Sequence, residues 1–192
     1  MLGIEGGHAI EDSLGALCAY YDLGVRYMTL THNRHTPDDV IAMLPKNGGV
    51  LMVTFVSGFI SQEAVDVLLP MIQEYLARAE GKSEAERNAL NKELQAKYVM
   101  PTVTIAAVAD HIDYIRKVAG MDHIGIGGDY DGNENWPEEL EDVSMYPNLF
   151  AELVRRGWSD EDLRKVAGEN VLRALGQAEK VARRLQQETP PN

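Results

Sequence analysis

Apolar positions along this chain follow two rhythms, and the switches between them lay out the secondary structure. Short continuous apolar runs, the form taken by strands of a parallel sheet, occur at Leu2–Ile4, 26–31, 49–55 and 123–127. The third, Val-Leu-Met-Val-Thr-Phe after two glycines, reads as a strand covered on both faces. Between and after these runs the apolar residues recur at helical spacing. Ile10, Leu14, Leu17 and Tyr21 predict a helix over 9–23 that stops at Gly24. Thr36, Pro37, Asp38 and Asp39 form a helix start. Val65, Leu68, Ile72 and Leu76 predict a helix over 61–79 with a kink at Pro70. Ser83 and Glu86 form a capping box opening a charged helix that ends near Lys97, read as a solvated excursion. Further helices are predicted over 102–119, 146–156, 159–166 and 169–187, with a frayed tail over 188–192. Strand and helix alternate, so the expected class is α/β, in one domain spanning residues 1–192.

Composition narrows the picture only slightly. The formal charge of −12 argues against a nucleic-acid partner and against an anionic membrane surface. No apolar run reaches the roughly 18 residues of a membrane span, and no secretion signal is visible, so the chain as written reads as cytoplasmic. Cys18 is the single cysteine; beside Leu14 and Leu17 it is expected to pack as a small core residue.

Candidate chemistry clusters where the strands end, because that edge of a parallel α/β sheet is where ligands bind. Glu5 and Asp129 both stand in glycine-rich turns, Gly3-Ile4-Glu5-Gly6-Gly7-His8 and Gly125-Ile126-Gly127-Gly128-Asp129-Tyr130-Asp131-Gly132. Each carboxylate reads either as a metal ligand or general base, or as a local cap. His32, just past the second strand, reads either as a donor to a developing oxyanion or as a hydrogen-bonded loop histidine. Arg34 reads either as a bidentate clamp on a carboxylate or as a surface residue. His8, His35, His111 and His123 are weaker candidates. The chain has no His-x-Asp or His-Glu-x-x-His spacing, no nucleophile elbow, no P-loop and no dinucleotide fingerprint.

Several long motifs together resemble the renal (membrane) dipeptidase family of zinc peptidases. They are the Gly3–His8 turn, Tyr21-Asp22-Leu23-Gly24-Val25-Arg26-Tyr27-Met28-Thr29-Leu30-Thr31-His32-Asn33, Pro37-Asp38-Asp39-Val40, Val108-Ala109-Asp110-His111-Ile112-Asp113, the Gly127–Gly132 turn and Arg155-Arg156-Gly157-Trp158-Ser159. The resemblance implies a (β/α)8 TIM-type barrel of the metallo-dependent hydrolase kind, with a binuclear zinc site that hydrolyses dipeptides. It implies that Glu5 bridges the zincs and that His32 polarises the scissile carbonyl. By the same resemblance Arg34 grips the substrate carboxylate, while Asp129 holds the substrate ammonium and handles the proton. Family members are often exported.

The chain departs from that pattern. The family's His-x-Asp metal pair lies on a strand upstream of Met1. Its two further zinc histidines lie on strands between segments that are joined here at Asn33 and Arg34. Thr54 and Val56 replace an expected asparagine and tyrosine. Glu5 is the one metal ligand retained, whereas catalytic zinc takes about three protein ligands. A complete barrel has eight strands in about 250 residues. The expectation is therefore a partial barrel with several strands missing, truncated at the N-terminus and internally deleted between Asn33 and Arg34. Weak or absent hydrolysis follows. The alternative is a non-catalytic fragment or pseudoenzyme that binds a partner or associates into homo-oligomers, since an open sheet exposes its edges.

Overall fold

The computed structural model describes residues 2–188 except Asp12, 29–35 and 133–134. Two compact units result, Met1–Ile41 and Ala42–Asn192.

In the first unit, β1 (Leu2–Ile4) pairs in parallel with β2 (Val25–Met28). The connection contains a 3-10 turn, Gly7–Ile10, and helix α1 (Leu14–Asp22). The helix starts later than its apolar spacing suggests because Ser13 caps it: Ser13 Oγ accepts from Ala16 N at 3.2 Å. No residue of α1 is buried, and Cys18 is exposed, contrary to the core role expected for it. Spacing alone says which residues share a face, not whether anything covers that face. The unit ends with the short helix α2 (Asp38–Ile41).

The second unit carries the core. After α3 (Leu44–Asn47) comes β3 (Leu51–Val53), which pairs in parallel with β4 (Ile124–Ile126). The crossover between them holds α4 (Ser57–Ile60), α5 (Gln62–Ala79), α6 (Glu84–Lys97) and α7 (Ile105–Ala119). Helix α5 runs through Pro70 as a single element. Helix α8 (Tyr146–Arg155), α9 (Asp160–Arg164), a π-helical turn over Lys165–Glu169 and α10 (Asn170–Glu188) follow. Val53, Phe55, Ile124 and helix residues including Val108, Ile112, Ile115, Leu149 and Leu153 form the buried centre.

The sheet is not covered as the apolar run of β3 suggests. Val53 is 1% exposed and Met52, on the opposite face, is 42% exposed. Side chains alternate across a strand, so one face of β3 packs under the helices and the other remains open. Among the described residues each sheet has two strands, the content of part of an α/β barrel.

Polar latches fix the N-terminal ends of β3 and β4. Buried Asn170 donates from Nδ2 to Met121 O and Ile124 O, at 2.8 and 2.9 Å. Arg173 reaches Gly48 O and Asp122 O, and the His123 ring bonds Gly49 O at 2.7 Å. Arg156 ties α8 to α7 through Asp113, Asp110 and Ala106 O, and Trp158 Nε1 donates to the same Asp113.

The charged helix α6 is more than a solvated excursion. Leu90 and Leu94 are buried, and Arg78 of α5 meets Glu93. Glu74 of α5 accepts from Lys97 at 2.5 Å and from the Tyr98 hydroxyl at 2.8 Å.

Candidate functional site

The C-terminal end of β4 is built by hydrogen bonding across to β3. Gly127 N donates to Val53 O at 2.8 Å, and Phe55 N donates to Gly128 O at 3.1 Å. This extends the ladder past both strands and sets the height at which the chain turns. Asp129 then takes φ of +65°, a left-handed conformation that aspartate tolerates better than most residues. Its side chain is exposed and folds over its own turn. A Cβ placed on Gly132 would lie 2.8 Å from Asp129 Oδ1, so only glycine leaves room for this carboxylate position. Gly128 is equally constrained: a Cβ there would stand 2.8 Å from the Tyr146 hydroxyl.

Below the turn lies an aromatic cluster that the strand and helix patterns did not reveal. Phe55 meets Tyr130 and Tyr146 with ring centroids 5.8 and 5.7 Å apart, and Tyr130 meets Trp136 at 5.1 Å. The available signal was the recurrence of aromatic residues, Tyr130, Trp136 and Tyr146, soon after a strand end. The Tyr130 hydroxyl is buried and finds no hydrogen-bond partner among the described residues. Burial, reinforced by Tyr146 and the acids Asp142 and Glu141, pushes its pKa up to about 12, so it stays a neutral phenol. The loop beyond is stitched down by Ser57 Oγ, which donates to Asn135 O at 2.9 Å, and by Glu138 N, which donates to Val103 O at 2.8 Å.

In the other unit, Glu5 follows β1 directly and is exposed. Gly6 turns the chain with φ of +88°, and the 3-10 turn begins at the next residue. Helix α1, further along, is capped by Ser13. His32 and Arg34 lie outside the described residues. A hollow of about 500 Å³ in this unit is lined by apolar side chains such as Ile4, Leu17, Val25 and Met28, and Glu5 is not among its walls.

The donor set does not fit a binuclear zinc centre. Among the described residues no three His, Cys, Asp or Glu come together in a metal-holding group. The end of β3 offers Thr54, Phe55 and Val56, and the end of β4 offers Asp129 as its acid. His123 sits at the opposite end of β4, engaged with Gly49 O.

Parallel strand pairs joined through helices, with an acid past the end of β4, are the content of part of an α/β barrel. The chain belongs to the membrane dipeptidase family, peptidase family M19, whose pattern matches residues 1–37 and 32–189. The two stretches overlap over residues 32–37, which include Asn33 and Arg34. Dipeptidase 3 of Macaca fascicularis and of Homo sapiens are each 33% identical over 230 residues, covering 99% of this chain and 47% of the relative. That span is about 40 residues longer than the 192-residue chain can fill. The chain spans about half the length of the curated relatives it matches. Among solved structures, the probable dipeptidase PvdM from Pseudomonas aeruginosa superposes with a TM-score of 0.63 at 26% identity, over 77% of this chain and 41% of that one. A metallo peptidase from Rhodobacter sphaeroides, liganded with a phosphinate mimic of L-Ala-D-Ala, shares the fold with a TM-score of 0.53 at 21% identity, over 74% and 31%.

Proposed function

We propose that this chain keeps the dipeptide-gripping residues of a zinc metallodipeptidase and hydrolyses dipeptides weakly or not at all. The observation that carries the reading is the two-part family match meeting at residues 32–37. A family pattern matched twice along one chain, with an alignment longer than the chain, supports the loss of an internal stretch, and the resemblance puts two zinc histidines in that stretch.

A dipeptide is a short zwitterion. Arg34 suits its carboxylate, with a planar fork of donors matched to two oxygens. Asp129 suits its ammonium, and His32 suits the carbonyl oxygen on which charge develops during attack. Glu5 would be the remaining metal ligand. Because the donors do not fit a zinc pair, no step through metal-bound water is assigned to these residues. Purified protein assayed with a dipeptide and added zinc should show little or no cleavage. Turnover at an ordinary enzyme rate that disappears in Glu5→Gln would overturn the reading.

A second reading, a non-catalytic self-associating module, draws on the exposure of Leu2, Leu14, Leu23 and Tyr27 in the first unit. Light scattering separates the two: a compact monomer over a wide concentration range counts against self-association.

A further inference from the structure

The mismatch between family chemistry and the donors in this chain leads further, on the reading that the chain derives from a two-zinc peptidase. We infer that residues 42–192 bind no zinc, so that any ion the chain holds depends on the Met1–Ile41 unit, where the resemblance leaves Glu5 as the one ligand. The first support is a census of ligand types. Soft or borderline ions such as zinc take thiolate, imidazole and carboxylate donors, and about three protein ligands make a catalytic site. The second unit has no cysteine and two histidines, His111 and His123. His123 lies ahead of β4, in the 3-10 turn Met121–His123, with its ring bonded to Gly49 O at 2.7 Å. Asp129 follows the other end of that strand, so the length of β4 separates them. His111 stands in the middle of α7, a covering helix.

The second support is what the neighbouring acids do. Asp142 accepts from Ser144 N at 2.7 Å, and Glu141 accepts from Glu139 N at 3.0 Å. Both are used in closing local turns. The Asp129 carboxylate lies back over Gly132. Facing it across the sheet, β3 ends in a threonine and two apolar residues, Thr54, Phe55 and Val56. An acid in such company is a hydrogen-bonding and charge-pairing group, not a member of a metal cage. Asp129 thus serves the substrate and its proton and not a metal, and the binuclear arrangement has been dismantled while its ammonium-binding acid was kept.

Equilibrium dialysis of the full chain against micromolar zinc, with metal counted by atomic absorption, tests this. None or one ion per chain is expected, with Asp129→Asn binding as much as the parent chain and Glu5→Gln abolishing any ion that is bound. Two ions per chain, loss of an ion on Asp129→Asn, or an ion that survives Glu5→Gln overturns the inference. Circular dichroism of each variant checks that its fold is intact. The hydrolysis assay is read separately. Two bound ions without cleavage defeat only this inference, whereas cleavage at an ordinary rate with one ion or none defeats only the functional reading.

Discussion

The two units divide stability and chemistry unequally. The second has a closed core in which Phe55, Ile112, Leu149 and Leu153 are fully buried, and it contributes one candidate group, Asp129. The first carries Glu5, His32 and Arg34 in its sequence, yet its helix α1 buries nothing, and Leu14 and Leu23 are 76% and 73% exposed. A unit of 41 residues lies near the size, about 40, below which a chain rarely folds without added support. The residues to which the resemblance gives a metal or substrate role, Asp129 apart, thus lie in the part with the least core.

The largest expected contrast is in hydrogen exchange of the intact chain. Amides of α7, packed through Val108, Ala109, Ile112 and Ile115, should be protected at least about 100-fold more than those of α1, a difference of about 3 kcal/mol in opening free energy. Equal protection in the two helices would show that α1 has a packing partner and would dissolve the contrast.

Single substitutions sharpen it. Leu149→Ala removes a fully buried side chain and should cost about 3 kcal/mol by denaturant melting, while Leu14→Ala should stay within about 0.5 kcal/mol. A smaller loss is expected for Arg156→Met. Arg156 binds Asp113, Glu152 and Ala106 O, and its removal takes the cation from Asp113 while Arg155 still pairs with Glu152, at a cost of about 2 kcal/mol. A neutral effect would mean that Trp158 Nε1, which also donates to Asp113, satisfies that acid by itself.

How much of this was legible depended on whether the cause is local. The Ser83–Glu86 box, the helix start near Ser159 and the apolar cores of β3 and β4 are written in neighbouring residues, and the structure has them. The alternating spacing of Leu14, Leu17 and Cys18 was equally readable and misled, because a face exists in sequence before anything is known to cover it. The same holds for Met52: a continuous apolar run promised two covered faces, and one is open. Asp129 was found because glycines flank a strand end. The cluster of Phe55, Tyr130, Trp136 and Tyr146 beneath it was missed because it joins residues that are distant along the chain. The break between the helices predicted over 159–166 and 169–187 was legible, and the structure has it at Gly168, which leaves helical geometry within Lys165–Glu169.

The mildest effect concerns the α5–α6 hairpin within the well-packed unit. Lys97, then Tyr98 and Arg78, hold the Glu74 carboxyl at a pKa of about 2, below its ordinary 4.5. A carboxyl whose folded pKa is depressed contributes stability that is complete above the unfolded value and is lost as the pH falls through the folded one. The hairpin should therefore hold at neutral pH and loosen between about 4.5 and 2 as Glu74 takes up a proton and releases Lys97. Fluorescence does not isolate this event, because the tryptophans, Trp136 and Trp158, lie outside the hairpin. Carbon-detected NMR of the Glu74 side chain does, and its midpoint should fall well below the ordinary 4.5. In Glu74→Gln the acid-dependent loosening should vanish while the apolar contact of Leu90 and Leu94 keeps α6 in place. A hairpin that detaches at neutral pH in this variant would show that the charges, and not the two leucines, hold it.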